Sequence, residues 1–327
     1  MKEQKTFGLI LKGAAMGIAE IIPGVSGGTI AFITGIYEQL LASIKAIGPE
    51  LFKGFKDEGI KGAWEAINGK FLLFLGIGMV AGIVIGVFVI TYLLETYPPV
   101  IWAFFCGIIL ASVVYIAKQC TSWGIVQIVA LILGSAVAYY LTMAIPSEGS
   151  SSYLYVFICG VIAISALILP GISGSFILLL MGMYTYIVQD TLKVALTTFA
   201  MDKIITMGVF ALGCLTGLAT ISRVLSWTFH NYKNTTLAVL AGFMLGSLNK
   251  IWPWRKATEW LRDSSGSIIL DDDGVTPKKI LTEINISPSA YSLEFQINNY
   301  LIVAILSFIL GIAIVFIMDR NNQSSKS

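Results

Sequence analysis

Apolar residues run in long blocks along this chain, and short polar stretches separate them. The first block spans residues 7–47 with one interruption, and three more cover 71–94, 100–117 and 123–145. A second interrupted block spans 153–189, and runs at 204–229, 235–250 and 299–318 follow. A helix rises 1.5 Å per residue, so about 20 apolar residues cross the roughly 30 Å hydrocarbon layer. The pattern predicts an all-α polytopic membrane protein. Polar residues fill 48–70, 95–99, 118–122, 146–152 and a long segment at 251–298.

The two interruptions are alike. The first reads Pro23-Gly24-Val25-Ser26-Gly27-Gly28-Thr29, and the second reads Pro170-Gly171-Ile172-Ser173-Gly174-Ser175. Further on, Gly35-Ile36-Tyr37 matches Gly182-Met183-Tyr184 at the same offset. One offset for all these matches marks an internal repeat. In the following runs Gly82 and Gly86 resemble Gly213 and Gly217, and Gly107, Leu110 and Ser112 resemble Gly242, Leu245 and Ser247. The expected repeats are therefore 1–147 and 148–327, each with one broken element and three transmembrane helices.

Proline removes a backbone donor and disfavours helix in the residue before it, and glycine permits the turn that follows. A helix arriving at Pro23 or Pro170 should break, and a new one should start near Ser26 or Ser173. Ser26, Gly28 and Thr29 suit an N-cap. Within lipid, the freed polar groups must be buried in protein or face a wet cavity. Two such breaks in corresponding positions of two halves point to a transporter binding site. The pattern leaves open whether each element is a re-entrant hairpin or a pair of full crossings.

Composition agrees: 56% of residues are hydrophobic and 12% charged. The formal net charge of +2 rests on loops and ends, so no nucleic-acid partner is expected. No cleavable signal peptide is expected, since no small-residue cleavage site precedes the first break. Cys106, Cys120, Cys159 and Cys214 form no CxxC pair, and His230 is the lone histidine, so neither metal nor cofactor is expected.

Charge also sets the orientation. Lys2, Lys5 and the lysines of 48–70 face the cytoplasm by the positive-inside rule, as do Lys118, Arg223, Lys233, Arg320 and Lys326. Both termini are then cytoplasmic, and 251–298 is extracytoplasmic. Lys193 and Lys203 run against this arrangement. An odd number of spans between the broken elements inverts the second, giving two inverted-topology repeats whose breaks meet near the midplane.

Helix N-termini present N–H donors and partial positive charge, which suit an anion. Ser26, Gly27, Gly28 and Thr29, with Ser173, Gly174 and Ser175, are the candidate site. Close helix packing through small residues is the alternative. Glu20 precedes the first break, where the second has Leu167. It could carry a proton, or bond the broken backbone. Arg223 could pair with Glu20, meet a phosphate, or snorkel to the interface. Tyr37 and Tyr184 correspond in the repeat and either line the site or belong to an interfacial belt. Glu38 marks the interface. No GxxxxGK[ST] loop, HExxH or Ser/His/Asp set is present, so an ATP motor and hydrolytic enzymes are not expected.

AEIIPGVSGGTIAFITGIYE at 19–38 and ILPGISGSFILLLMGMY at 168–184 resemble the two signature segments of the bacterial polyprenyl-phosphate transporter family. The resemblance covers nearly the whole chain. It implies a bacterial cell-membrane translocase of undecaprenyl phosphate that returns the carrier of peptidoglycan and other envelope polymers to the cytoplasmic leaflet. Many members carry Asp where this chain has Glu20, and the 251–298 insertion is less familiar. The headgroup would bind at the two breaks and the tail would stay in lipid, with alternating access between the leaflets and possible proton coupling through Glu20. A transporter of a small soluble anion and a non-transporting assembly factor are the rival readings.

Overall fold

The computed structural model describes residues 6–22, 24–192, 199–260 and 280–324. Pro23 and the orientation-setting Lys2, Lys5, Lys193 and Lys326 lie outside the described residues. The chain runs α1 Thr6–Glu20, α2 Gly27–Ile33, α3 Tyr37–Lys45, α4 Pro49–Ala66, α5 Gly69–Thr96, α6 Pro98–Gln119 and α7 Ile125–Met143. It continues with α8 Tyr153–Ile168, α9 Gly174–Leu180, the π-helical α10 Thr185–Leu192, α11 Met201–Asn231 and α12 Lys233–Ser247. Strands β1 Arg255–Trp260 and β2 Ile280–Asn285, then α13 Pro288–Phe295 and α14 Leu301–Ser324, complete it.

Five stretches among the described residues are long and apolar enough to cross a membrane: one ending in α5, then α6, α7, α11 and α14. The chain is a nearly all-α, multi-pass membrane protein. The sixth expected span, 235–250, is shorter than its apolar run suggests. Helix α12 has 15 residues, which rise only about 22 Å. Its Leu237, Leu240, Ala241 and Met244 are buried, so α12 is an interior helix.

The broken elements also differ from expectation. Each is broken twice. Gly24 and Gly171 take φ of +87° and +86°, a left-handed conformation that costs an L-residue about 1–2 kcal/mol. Gly35 (φ +73°) and Gly182 (φ +67°) then end α2 and α9. Seven residues rise about 10 Å, so neither short helix spans a bilayer.

Helix packing repeats between the halves. α1 packs on α5 and α8 on α11 through glycines that let backbones touch. Gly78 meets the Ile10 carbonyl as Gly213 meets that of Phe157, and Gly82 meets Ala14 as Gly217 meets Val161. The partners of Gly213 and Gly217 are thus Gly78 and Gly82, one helical turn before the expected Gly82 and Gly86. Three glycines spaced by four residues offer two registers, and the sequence pattern cannot choose between them. Gly107 of α6 meets the Phe308 carbonyl of α14, and Gly242 of α12 meets the Leu131 carbonyl of α7. The expected match of Gly107 with Gly242 therefore describes a matching contact, made each time with a helix of the other half.

Two polar segments are structured. Residues 48–70 hold α4, whose two pieces turn at Glu58 and Gly59 so that the Gly54 and Gly62 backbones touch. Segment 251–298 is a departure from all-α: β1 and β2 pair antiparallel, and α13 follows. Trp254 Nε1 donates to the Asn299 carbonyl at 2.9 Å and Trp252 Nε1 to that of Ile286 at 3.0 Å. Trp254 and Tyr291 pack with Ala103 and Ala304, seating the hairpin on the ends of α6 and α14.

Candidate functional site

At the first break, α1 ends at Glu20 and the chain turns through Gly24. Ser26 is extended and caps α2, its Oγ accepting from Gly28 N at 3.1 Å. Thr29 N donates to the Ser26 carbonyl at 3.0 Å. Glu20 Oε1 accepts from Gly27 N at 2.7 Å. The early N–H groups of α2 are therefore used, and a carboxylate already occupies the place where an external anion would sit. At the other end of α2, Lys12 Nζ donates to the Thr34 carbonyl at 2.8 Å. A carboxylate at the N-terminus and an ammonium at the C-terminus both complement the helix dipole.

The second break has the same backbone course and different side chains. Leu167 stands at the Glu20 position and Cys159 at the Lys12 position. Ser173 is extended, yet no side chain caps α9; the Ser173 and Ser175 hydroxyls bond each other at 2.8 Å instead. Neutral groups hold its C-terminal end. The Leu180 carbonyl accepts from Ser147 N and Oγ at 2.8 and 3.0 Å, and that of Met181 from the Tyr155 hydroxyl at 2.9 Å.

The breaks meet in the interior. Ser26 Oγ donates to the Leu167 carbonyl at 3.0 Å, and the Tyr37 hydroxyl donates to that of Ile168 at 3.2 Å. Gly171 N donates to Thr29 Oγ1 at 3.2 Å. Side chains of the first break thus satisfy backbone freed at the second, in a buried place where an unpaired group costs about 1–3 kcal/mol. Pro170, Gly171, Ser173 and Gly174 are buried beside them. Tyr37 is 3% exposed and packs on Phe32 and Phe229, so it is no belt tyrosine.

Two candidates lie elsewhere. Arg223 is exposed on α11, donates to the Ala219 carbonyl at 2.8 Å and faces Gly48, so it pairs with no residue of the breaks. Tyr184 packs against a separate cluster built on Val156, Cys159, Leu178 and Met183. Glu38, in the first turn of α3, forms an exposed ion pair with Lys233 at 3.6 Å.

Sequence reasoning missed Lys12 and Lys250. Lys250 follows α12, and its stem lies against Gly24 while its ammonium sits 5.3 Å from the Phe176 ring centre on α9. It lines a cavity of about 20 Å³, room for one water, together with Gly24, Gly171 and Ser173. A lysine closing an apolar run has the appearance of an interface marker; only the early end of α12 brings it to the breaks. Lys12 carried a fainter signal, as the one basic residue in the apolar stretch 7–22 before the first break.

A family model described as VCA0040-like, undecaprenyl phosphate translocase-like, matches residues 16–269. The chain is 41% identical over 311 residues to a Vibrio cholerae protein named polyprenyl-phosphate transporter, covering 95% of each chain. It is 32% identical over 256 residues to a Staphylococcus aureus protein of the same name, covering 75% of this chain and 85% of that one. No solved structure matches.

Proposed function

The chain belongs to the undecaprenyl phosphate translocase-like family, and we propose that it is a transporter of polyprenyl phosphate, not an enzyme. The observation that carries the reading at the site is the direct bonding of the two breaks through Ser26, Thr29 and Tyr37. Polar groups are gathered where lipid-facing helices surround them, and no Asp, Glu, Lys or Arg interrupts the span from Phe71 to Leu94. The headgroup binds at this junction, on the side of Ser173, Gly174 and Ser175. Glu20 already fills the anion position at the first break, and a second anion beside it would meet like charge. The isoprenoid tail stays in the bilayer.

The halves act as inverted repeats, 1–147 and 148–327, that rock about the paired breaks to face each leaflet in turn. The recurring glycine contacts support this reading. The protein sits in the bacterial cytoplasmic membrane with both termini in the cytoplasm. Two contacts support one common cytoplasmic face: Glu38 pairs with Lys233, and Thr121 N donates to Asn234 Oδ1 at 3.1 Å. On the opposite face, Asn249 Nδ2 donates to Thr142 Oγ1 at 2.7 Å and Tyr97 packs edge-on to Tyr300. Transport returns the lipid carrier to the cytoplasmic leaflet for envelope polymer synthesis. The Glu20–Gly27 bond favours a structural Glu20 over a proton carrier, so the Glu20→Gln protein transports with the parental pH dependence.

The test is exchange of a short-chain polyprenyl phosphate between the leaflets of liposomes, read by an external phosphatase that cannot cross. Protein-dependent exchange that falls in the Ser26→Ala/Ser173→Ala double variant is expected. Uptake of inorganic phosphate with no lipid exchange would sink the reading in favour of a small-anion transporter.

A further inference from the structure

Between the hairpin and the end of α7 lies a cavity of about 220 Å³, lined by Asn249, Lys250, Arg255, Glu283 and Asn285 on one side and Tyr139, Thr142 and Met143 on the other. Glu283 Oε2 accepts from Lys250 Nζ at 3.1 Å and from Arg255 Nη1 at 2.9 Å. One carboxylate is thus shared by two cations, and the cluster keeps a net positive charge. The Arg255 side chain is only 11% exposed, and its guanidinium lies 4.2 Å from the Trp102 ring centre. Burying three charges on a loop is a poor route to stability, because desolvation offsets most of the attraction. The arrangement suits an anion that offers more acceptors than one shared carboxylate oxygen does.

We propose that Lys250 and Arg255 form a receiving site for a phosphate monoester, with Glu283 as the internal anion that the phosphate displaces. The proposal rests on the transport reading above and adds the place where the headgroup first lands. A phosphate monoester carries about −1.5 to −2 charge at pH 7 and three strong acceptors, against one charge on Glu283. Arg presents a planar fork that matches it, and Lys a mobile point charge. Asn249 and Asn285 supply neutral groups on the same wall; Asn285 Nδ2 donates to Asn249 Oδ1 at 2.8 Å. Tyr139 and Met143 are exposed on α7, giving the apolar tail an open path to lipid.

Lys250 and Thr142 line both this cavity and the small one at the breaks. Lys250 is therefore the link. Its stem is fixed against Gly24, and its ammonium reaches Glu283 on one side and Phe176 of α9 on the other. Leaving Glu283 with a bound phosphate, it would carry the headgroup toward Ser173 and Ser175 by rotation of its own side chain.

The test is equilibrium binding to the purified full-length protein in detergent, with tryptophan fluorescence as the readout. Three probes are compared: a short-chain polyprenyl monophosphate, the matching polyprenol, and inorganic phosphate. Lys250→Gln is expected to weaken the monophosphate about tenfold and leave the polyprenol unchanged, and to weaken inorganic phosphate in parallel. Glu283→Gln is expected to tighten the monophosphate several-fold. If that variant fails to fold because Arg255 is left unpaired, Lys250→Gln decides alone, since it keeps the Arg255–Glu283 bond. Equal monophosphate affinity in the parent and Lys250→Gln would overturn the receiving site and leave the cluster as a clasp for the hairpin. Failure of the parent itself to prefer monophosphate over polyprenol would instead overturn the transport reading.

Discussion

At the first break a carboxylate and an ammonium hold the two ends of a seven-residue helix; at the second, the same positions carry leucine and cysteine. The backbone turns are nearly superimposable in φ, at +87° and +86°. A shared backbone therefore serves two jobs. Glu20 and Lys12 neutralise the ends of α2 and fix it, and the largest buried cluster surrounds it with Ile22, Val25, Ile36 and Leu41. The second break keeps an uncapped helix start, a pair of hydroxyls bonded to each other, and Lys250 close by. On the function proposed above, one break is a fixed post and the other the receptor.

The largest effect should come from making the second break like the first. Leu167→Glu would place a carboxylate at the start of α9, as Glu20 does for α2. It should cap the helix and exclude the phosphate, so transport falls at least about tenfold while the folded protein is recovered in normal yield. Liposome exchange and size-exclusion profiles measure the two outcomes. Retained transport would mean that the headgroup does not visit Ser173 and Ser175.

The turn glycines come next. A Cβ on Gly171 would lie 2.7 Å from the backbone of Met244, whereas one on Gly24 would meet only the Lys250 and Ile251 side chains at 3.3 Å. Both alanines pay the left-handed cost of about 1–2 kcal/mol. Gly171→Ala adds overpacking of about 1–3 kcal/mol against a helix backbone that has nowhere to move. Thermal denaturation should rank Gly171→Ala well below Gly24→Ala, and equal midpoints would show that α12 yields more readily than its burial implies.

Third, the charged caps can be replaced with what the second half carries. Glu20→Leu leaves Gly27 N without its acceptor and Lys12→Cys leaves the Thr34 carbonyl without its donor, each costing about 1–3 kcal/mol of stability. At the corresponding position, Cys159→Ser should move the midpoint little, because the Met181 carbonyl is already bonded by Tyr155. A fall on Cys159→Ser as large as on Lys12→Cys would erase the distinction between post and receptor.

Much of this was legible in the sequence and some was not, for identifiable reasons. The long blocks at α5, α6, α7, α11 and α14 show because lipid tolerates few charges. The first break of each element shows because Pro-Gly is an unmistakable interruption. The second break does not, because Gly35 and Gly182 stand without a proline and look like one more small residue in a helix face. The register of Gly78, Gly82 and Gly86 stays hidden behind its own periodicity. In the cluster of Lys250, Arg255 and Glu283, the pairing of β1 with β2 brings Glu283 to two cations 28 and 33 residues earlier in the chain, and no local pattern announces it. Arg223 stayed open for the converse reason: a lone arginine in an apolar run has the same appearance whether it faces a site or the interface.

The tyrosines give the finest cut. Tyr37 and Tyr184 occupy equivalent places after the second left-handed glycine of each element, yet Tyr37 donates to the Ile168 carbonyl and Tyr184 packs against a separate apolar cluster. Interhelical hydrogen bonds within membranes contribute about 0.6 kcal/mol on average. Tyr37→Phe should therefore lower stability by about that amount, and Tyr184→Phe by less than can be resolved. The two phenylalanine variants differ by one oxygen each, so unfolding midpoints in the same detergent isolate the bond. In a double variant with Ser26→Ala, which breaks the neighbouring bond to Leu167, the combined loss should exceed the sum of the two single losses, since both bonds hold the end of α8 against the first break. Strict additivity would mean that the two bonds act separately, and that the junction of the breaks is held by apolar packing around Ile22 and Val25 instead.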